Sequence, residues 1–418
     1  MGIFLYNLFV LFYSLGIRIA SLWNTKAKLW VNGRKMFPVV KEPISVWMHC
    51  ASLGEFEQGR PVLEELKRND PSLKIVLTFF SPSGYEVMKE YKGADHIFYL
   101  PSDSPFNAKK FIDNINPSLV LWVKYEYWFY YLHELKKRNI PTLLISGIFL
   151  PSQPFFKWYG GLWKRMLSCF NHLFIQDEES KELLSTINVK ENITVSGDTR
   201  FDRVITIAEK FEPISLIDKF CKDSKVIVAG STWEEDEAEL IHYVRINPNI
   251  KFIIASHSID SENLKDVKKE FKGAVFYSEL VLADQQLQSD NLIRSTNILI
   301  IDNIGMLSRL YKYADITYVG GGFGDDGVHN VLEAAVYGKP VVFGPEFEKY
   351  LEAEELIESE GGITINNALE LENVFNKLFS DETEIKKRSE CAKNYVYSNA
   401  GATKKIVDHI YKNRLLTN

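Results

Sequence analysis

The chain has 418 residues, more than one hydrophobic core organises, and its 46% hydrophobic and 25% charged residues exclude a disordered or collagen-like protein. Lys plus Arg number 49 against 55 Asp plus Glu, a formal charge of −6, so no bulk basic field is available for a nucleic-acid backbone and a nucleic-acid partner is disfavoured. Four scattered cysteines (Cys50, Cys169, Cys221, Cys391) with no CxxC pair and no clustered His indicate neither a disulfide scaffold nor a metal site, and they fit a reducing compartment.

From Gly2 to Ile17 no charged side chain occurs; Arg18 follows, and then a basic cluster of Lys26, Lys28, Arg34 and Lys35. A cleaved signal peptide needs a basic n-region and a small-residue cleavage site, and neither is present. A buried core helix is one alternative. The expectation is a membrane anchor over residues 1–30, because aromatics stand near both ends and cations gather on one flank. That flank places everything after residue 25 on the cytoplasmic side, and both a full span and a helix lying in one leaflet stay open.

After Pro43 short apolar runs alternate with amphipathic stretches. Strands are expected at Ile44–Cys50, Lys74–Phe80, His96–Leu100, Leu119–Val123, Thr142–Ser146 and His172–Gln176. A second series follows at Lys225–Gly230, Lys251–Ala255, Ala274–Tyr277, Ile298–Ile301, Ile316–Val319 and Pro340–Phe343. Such alternation predicts α/β architecture: two Rossmann-like domains, over 31–205 and 206–395, facing across a cleft. The remainder, 396–418, is expected to be a C-terminal helix with the option of packing back on the first domain. Ligands of open α/β sheets bind just beyond the strand ends, so those loops are the candidate sites.

The first such loop is Ala51-Ser52-Leu53-Gly54-Glu55. Ser52 and Glu55 have the spacing of a capping box, which would use Glu55 structurally. The competing reading makes Glu55 a general base, suited to taking a proton from a hydroxyl if partial burial raises its pKa. Next, Gly230-Ser231-Thr232-Trp233-Glu234-Glu235 combines a second capping-box spacing, Thr232 to Glu235, with a turn able to offer N–H and hydroxyl groups to phosphate. The most specific segment is Tyr318-Val319-Gly320-Gly321-Gly322-Phe323 followed by Gly327-Val328-His329-Asn330-Val331-Leu332-Glu333. Glycines after a strand admit a ligand close to the backbone; His329 and Asn330 are expected to open a helix with Glu333 in its first turn, where an acidic side chain can hold ribose hydroxyls. The bland alternative is a tight glycine turn with Glu333 complementing a helix dipole.

These segments, in this order, resemble the bacterial 3-deoxy-D-manno-octulosonic acid (Kdo) transferases of lipid A assembly. Ser52-Leu53-Gly54-Glu55 is similar to the SxGE segment and Ser196-Gly197-Asp198-Thr199-Arg200-Phe201-Asp202 to SGxxKFD. Gly230-Ser231-Thr232 resembles the GST-type loop, Asn303-Ile304-Gly305-Met306-Leu307 the nucleotide loop, Gly327–Glu333 the GGHNxLE segment, and Gly344-Pro345 its following turn. The resemblance implies a GT-B fold with an N-terminal membrane-anchor helix, CMP-Kdo as donor, a lipid A precursor (lipid IVA) as acceptor, no cofactor or metal, and residence at the cell inner membrane. It implies Glu55 as catalytic base. Ser231, Thr232, His257, Gly305, Met306, Leu307, Gly327, His329, Asn330 and Glu333 would then hold the donor. Ser52, Gly54, Arg60, Lys124, Glu126 and Arg200 are the candidate acceptor or phosphate contacts. The chain departs from the family at Lys124, where an acidic residue is common, and at Ser256 and Ile148, where arginines are; Lys124 and Arg200 are the candidate replacement cations. A nucleotide-sugar 2-epimerase of the same architecture and a non-catalytic membrane-tethered module are the competing readings.

Overall fold

The computed structural model describes residues 2–416; Met1, Thr417 and Asn418, at the tips of the expected anchor and C-terminal helix, lie outside them. Two compact units form, one of residues 1–203 with 400–418 and the other of 204–399. Among the described residues each unit holds a seven-stranded sheet, parallel throughout.

The first unit begins with two helices, α1 (Ile3–Ala20) and α2 (Thr25–Gly33). The Asn24 side chain accepts from the Ala27 N–H and so starts α2. Strand β1 (Ile44–Cys50) leads through Ser52 into α3 (Leu53–Asn69). Then come β2 (Ile75–Phe79), β3 (His96–Tyr99), β4 (Pro117–Val123), β5 (Thr142–Gly147), β6 (His172–Ile175) and β7 (Ile193–Val195). Spatial order is β3-β2-β1-β4-β5-β6-β7, so the order reverses between β1 and β4, the point where such sheets open a ligand crevice. Both faces of β1 are covered: Val46, Met48 and Cys50 join one core cluster and Trp47 the other. Double burial is why these strands read as unbroken apolar runs. Into the first of these clusters the helix Ala402–Lys412 inserts Ile406, Val407 and Ile410. Asp202 receives the Gly401 and Thr403 N–H groups at 2.6 Å each, fixing where that helix begins.

The second unit contains β8 (Lys225–Thr232), β9 (Ile250–Ser256), β10 (Val275–Phe276), β11 (Ile298–Ile300), β12 (Ile316–Val319), β13 (Val341–Phe343) and β14 (Gly362–Thr364). Their order is β10-β11-β9-β8-β12-β13-β14, with the reversal between β8 and β12. Strands β7 and β14 answer to no expected run. Each is a three-residue edge strand, too short and too half-buried to show a pattern.

Among the described residues of α1 only Tyr6 is buried, which overturns the core-helix alternative. The Tyr6 hydroxyl donates to buried Asp103 at 2.5 Å and accepts from the Phe129 N–H at 3.2 Å. Tyr13 packs near Trp30 and Phe80. The opposite side leaves Phe4, Leu8, Leu11 and Leu15 exposed, on a helix long and apolar enough to cross a membrane, with a mean hydropathy of 1.7.

Candidate functional site

In the first unit the switch-point loops after β1 and β4 bring Glu55, Lys124, Tyr125 and Glu126 together. Ser52 caps α3, its Oγ accepting from the Glu55 N–H at 3.5 Å. The expected capping box does not close, because the Glu55 carboxylate reaches past Ser52 and accepts from the Ala51 N–H. It also accepts from the Tyr125 N–H, which belongs to the loop after β4. A neighbouring donor, Ala51, and a tertiary one, Tyr125, have taken the carboxylate from its capping role. Glu55 is 8% exposed. Burial pushes its pKa from an ordinary 4.5 up to about 7, against the N–H groups of Ala51 and Tyr125 and the charge of Lys124, with Glu126 adding to the rise. Gly54 has open space where a side chain would stand. Lys124 adopts a φ of 57° and lies 4.9 Å from the Tyr125 ring centre. Glu126 accepts from the Trp128 indole at 3.1 Å and lies 3.8 Å from Nε2 of the fully buried His49.

Two candidate phosphate contacts are otherwise engaged. Arg60 is held between Glu64 at 2.7 Å and Glu57 at 3.2 Å along α3. Arg200 donates to Asp198 at 2.8 Å. Lys124 is the candidate cation that stands beside Glu55.

The second unit builds its site on the loops after β8, β9 and β12. Here Asp236, absent from the sequence-based candidates, is the organiser. It is fully buried and accepts from the Trp233 N–H at 2.9 Å, the Gly321 N–H at 2.7 Å and the Tyr318 hydroxyl at 2.8 Å. The capping pair is therefore Trp233 with Asp236, one residue beyond the Thr232 and Glu235 expected, and the helix runs Glu234–Ile246. Thr232 ends β8 instead, its hydroxyl donating to Glu237 at 2.7 Å, and Ser256 donates to the same oxygen at 2.7 Å. The Thr232 proton expected for phosphate is committed inside the fold. Ser231 takes a φ of 55° at the turn.

Gly320 must be glycine, since a Cβ there would meet the Ser231 carbonyl oxygen at 2.5 Å; Gly321 must be too, at a φ of 93°. This close approach sets Trp233, His257 and His329 together: the Trp233 indole donates to Nε2 of His329 at 3.0 Å, and His257 stacks on both rings. The helix expected to open at His329 begins three residues later and spans only Leu332–Ala335. Asn330 accepts from the Leu332 N–H at 3.2 Å and donates to Glu333 at 3.1 Å. Glu333 is thus oriented by Asn330 and not by a long helix dipole. Gly305, at a φ of 89°, turns the chain into Met306 and Leu307, and Leu307 packs with Tyr311 against Gly230, at the end of β8. Gly327, at a φ of 80°, lies against Tyr350. Among the described residues no three His, Cys, Asp or Glu side chains are grouped to hold a metal ion.

The UDP-GlcNAc 2-epimerase of Neisseria meningitidis, solved bound to UDP-GlcNAc, shares this fold with a TM-score of 0.60 at 18% identity, over 88% of this chain and 100% of that one. Two parallel α/β units in one chain, each with its polar loops at the sheet's switch point, define a protein of the GT-B class. The sequence model described as 3-Deoxy-D-manno-octulosonic-acid transferase (kdotransferase) matches residues 23–203. The 3-deoxy-D-manno-octulosonic acid transferase of Aquifex aeolicus is 30% identical over 350 residues, 82% of this chain and 88% of that protein. A bifunctional glycosyltransferase/methyltransferase of Fusobacterium nucleatum is 29% identical over 375 residues, and the match covers 85% of this chain but only 57% of that longer protein. The chain belongs to the 3-deoxy-D-manno-octulosonic acid transferase family and is a glycosyltransferase.

Proposed function

We propose that the chain transfers Kdo from CMP-Kdo to a lipid A precursor in lipopolysaccharide biosynthesis, with Glu55 as the general base. The observation that carries the reading is a carboxylate 8% exposed at the β1 switch point with its pKa raised to about 7. A base so tuned is about half ionised at neutral pH and basic enough to accept a proton as a hydroxyl attacks. The primary sugar hydroxyl of the acceptor attacks the anomeric carbon of Kdo, its proton passes to Glu55, and the bond to the CMP phosphate oxygen breaks with inversion. The second unit holds the nucleotide: the ring N–H of His329 meets the anionic end, and Glu333, fixed by Asn330 at 3.1 Å, takes the ribose. Lys124 supplies the cation beside Glu55.

The acceptor is a lipid, and two features favour work at the cytoplasmic face of the inner membrane. One is the exposed apolar side of α1, which Tyr6 ties to the first unit, an arrangement suited to a helix lying in one leaflet. The other is the segment from Pro154 to Met166, where exposed Trp158 and Tyr159 alternate with Lys157, Lys164 and Arg165. The purified chain, given CMP-Kdo and a tetra-acylated precursor, should release CMP and add the mass of Kdo to the lipid. Conversion of the donor sugar without acceptor would instead establish an epimerase, and no turnover of either kind would leave a binding module.

A further inference from the structure

The three rings of the second unit have a geometry that fixes where a proton sits. The planes of Trp233 and His329 are within 19° and their centroids 6.4 Å apart, while His257 lies 4.5 Å from each at 24° and 12°. Trp233 and His329 therefore lie side by side in nearly one plane, with His257 laid over their joint. The contact along the shared edge is the Trp233 indole nitrogen to Nε2 of His329, at 3.0 Å. An indole nitrogen carries a hydrogen and only donates. The Nε2 it meets must present a lone pair, which neither the imidazolium nor the Nε2–H tautomer has.

We propose that Trp233 is a positioning residue that holds His329 as the neutral tautomer with its ring proton on Nδ1, so that His329 serves the nucleotide-sugar site as a directed hydrogen-bond donor and not as a cation. Its service to the donor rests on the function proposed above; its tautomer does not. The neighbours agree. Burial and the adjacent His257 push His329 down to about 4, while Asp326 pulls the other way, and the His329 backbone N–H is spent on the Gly320 carbonyl at 3.0 Å. An anion arriving at the site would ordinarily draw a second proton onto an imidazole. Here the indole N–H occupies the one nitrogen that could accept it, so CMP is met without protonation of His329.

The test is calorimetric titration of CMP into the full chain in buffers of differing ionisation enthalpy, which counts protons taken up on binding, with nitrogen NMR of the His329 ring. Wild type should show His329 protonated on Nδ1 alone. Trp233→Phe, which keeps a ring but removes the N–H, should take up more protons than wild type, by as much as about one per CMP bound. His329→Asn, whose amide N–H replaces the Nδ1 donor, should hold CMP within about threefold, whereas His329→Gln, which reaches toward the Nε2 position, should weaken it about tenfold. A wild-type His329 protonated on Nε2, or equal proton uptake in wild type and Trp233→Phe, overturns the assignment. If wild type does not bind CMP at all, the donor-site reading and His329's service to it fall, and the ring nitrogen signals still decide the tautomer.

Discussion

Glu55 carries demands that pull in opposite directions: folding prefers it protonated, while the proposed general base must be ionised. Its pKa is raised from 4.5 to about 7, so it favours the fold fully below about pH 4.5 and that contribution is lost as pH rises through about 7. Transfer runs the other way and should gain along an acidic limb with its midpoint near 7. Glu55→Gln should therefore abolish turnover, leave CMP affinity unchanged, and stabilise the protein above pH 7 by about 1–3 kcal/mol, read by urea unfolding at two pH values. A variant that loses activity and stability together would show Glu55 to be structural. At the same scale, Glu333→Ala should weaken CMP binding by about 1–3 kcal/mol in calorimetry, since it removes a charged acceptor that Asn330 orients at 3.1 Å.

At the scale of elements, caps and tethers decide what holds. Tyr6 joins α1 to the first unit through Asp103 and the Phe129 N–H. Tyr6→Phe leaves that buried N–H unsatisfied, which costs about 1–3 kcal/mol, and should make the turn after α1 more open to proteolysis while vesicle binding persists. Asp202→Ala removes the acceptor for the two N–H groups that start the Ala402–Lys412 helix and should cost about 1–2 kcal/mol of unfolding free energy. Elements were also where sequence reading reached furthest and then stopped. Long doubly covered strands such as Ile44–Cys50 declare themselves as apolar runs, and Gly320 and Gly321 mark a close approach. The caps slipped because spacing cannot say which of several carboxylates the fold will bury: Asp236 took the role expected of Glu235, and Glu55 left Ser52 for Ala51 and Tyr125. The partners of Arg60 and Arg200 were not legible for the same reason, since choosing Glu64 and Asp198 is a property of the folded surface. Asp236 itself had a sequence signal: a carboxylate three residues after Trp233 at a strand-to-helix turn.

For the whole molecule, the two switch points put a tuned carboxylate in one unit and the proposed nucleotide site in the other. The proposed anchor, α1, should be separable from both. Removing residues 2–24 should release the chain from vesicles and leave CMP affinity intact; loss of affinity on this deletion would show that α1 supports more than attachment. The helix Ala402–Lys412 completes the core that lies beneath α3, on which Glu55 is carried, although 330 or more residues separate it from β1, α3 and Glu55 in the chain. During synthesis the ribosome thus delivers every strand of the first sheet, and then the entire second unit, before the piece that closes the first one emerges. The nascent protein spends most of its elongation with Ile406, Val407 and Ile410 still unmade and their seat open to water. A premature stop codon near the 3′ end of the message would strike the unit that carries Glu55, leaving the other to fold.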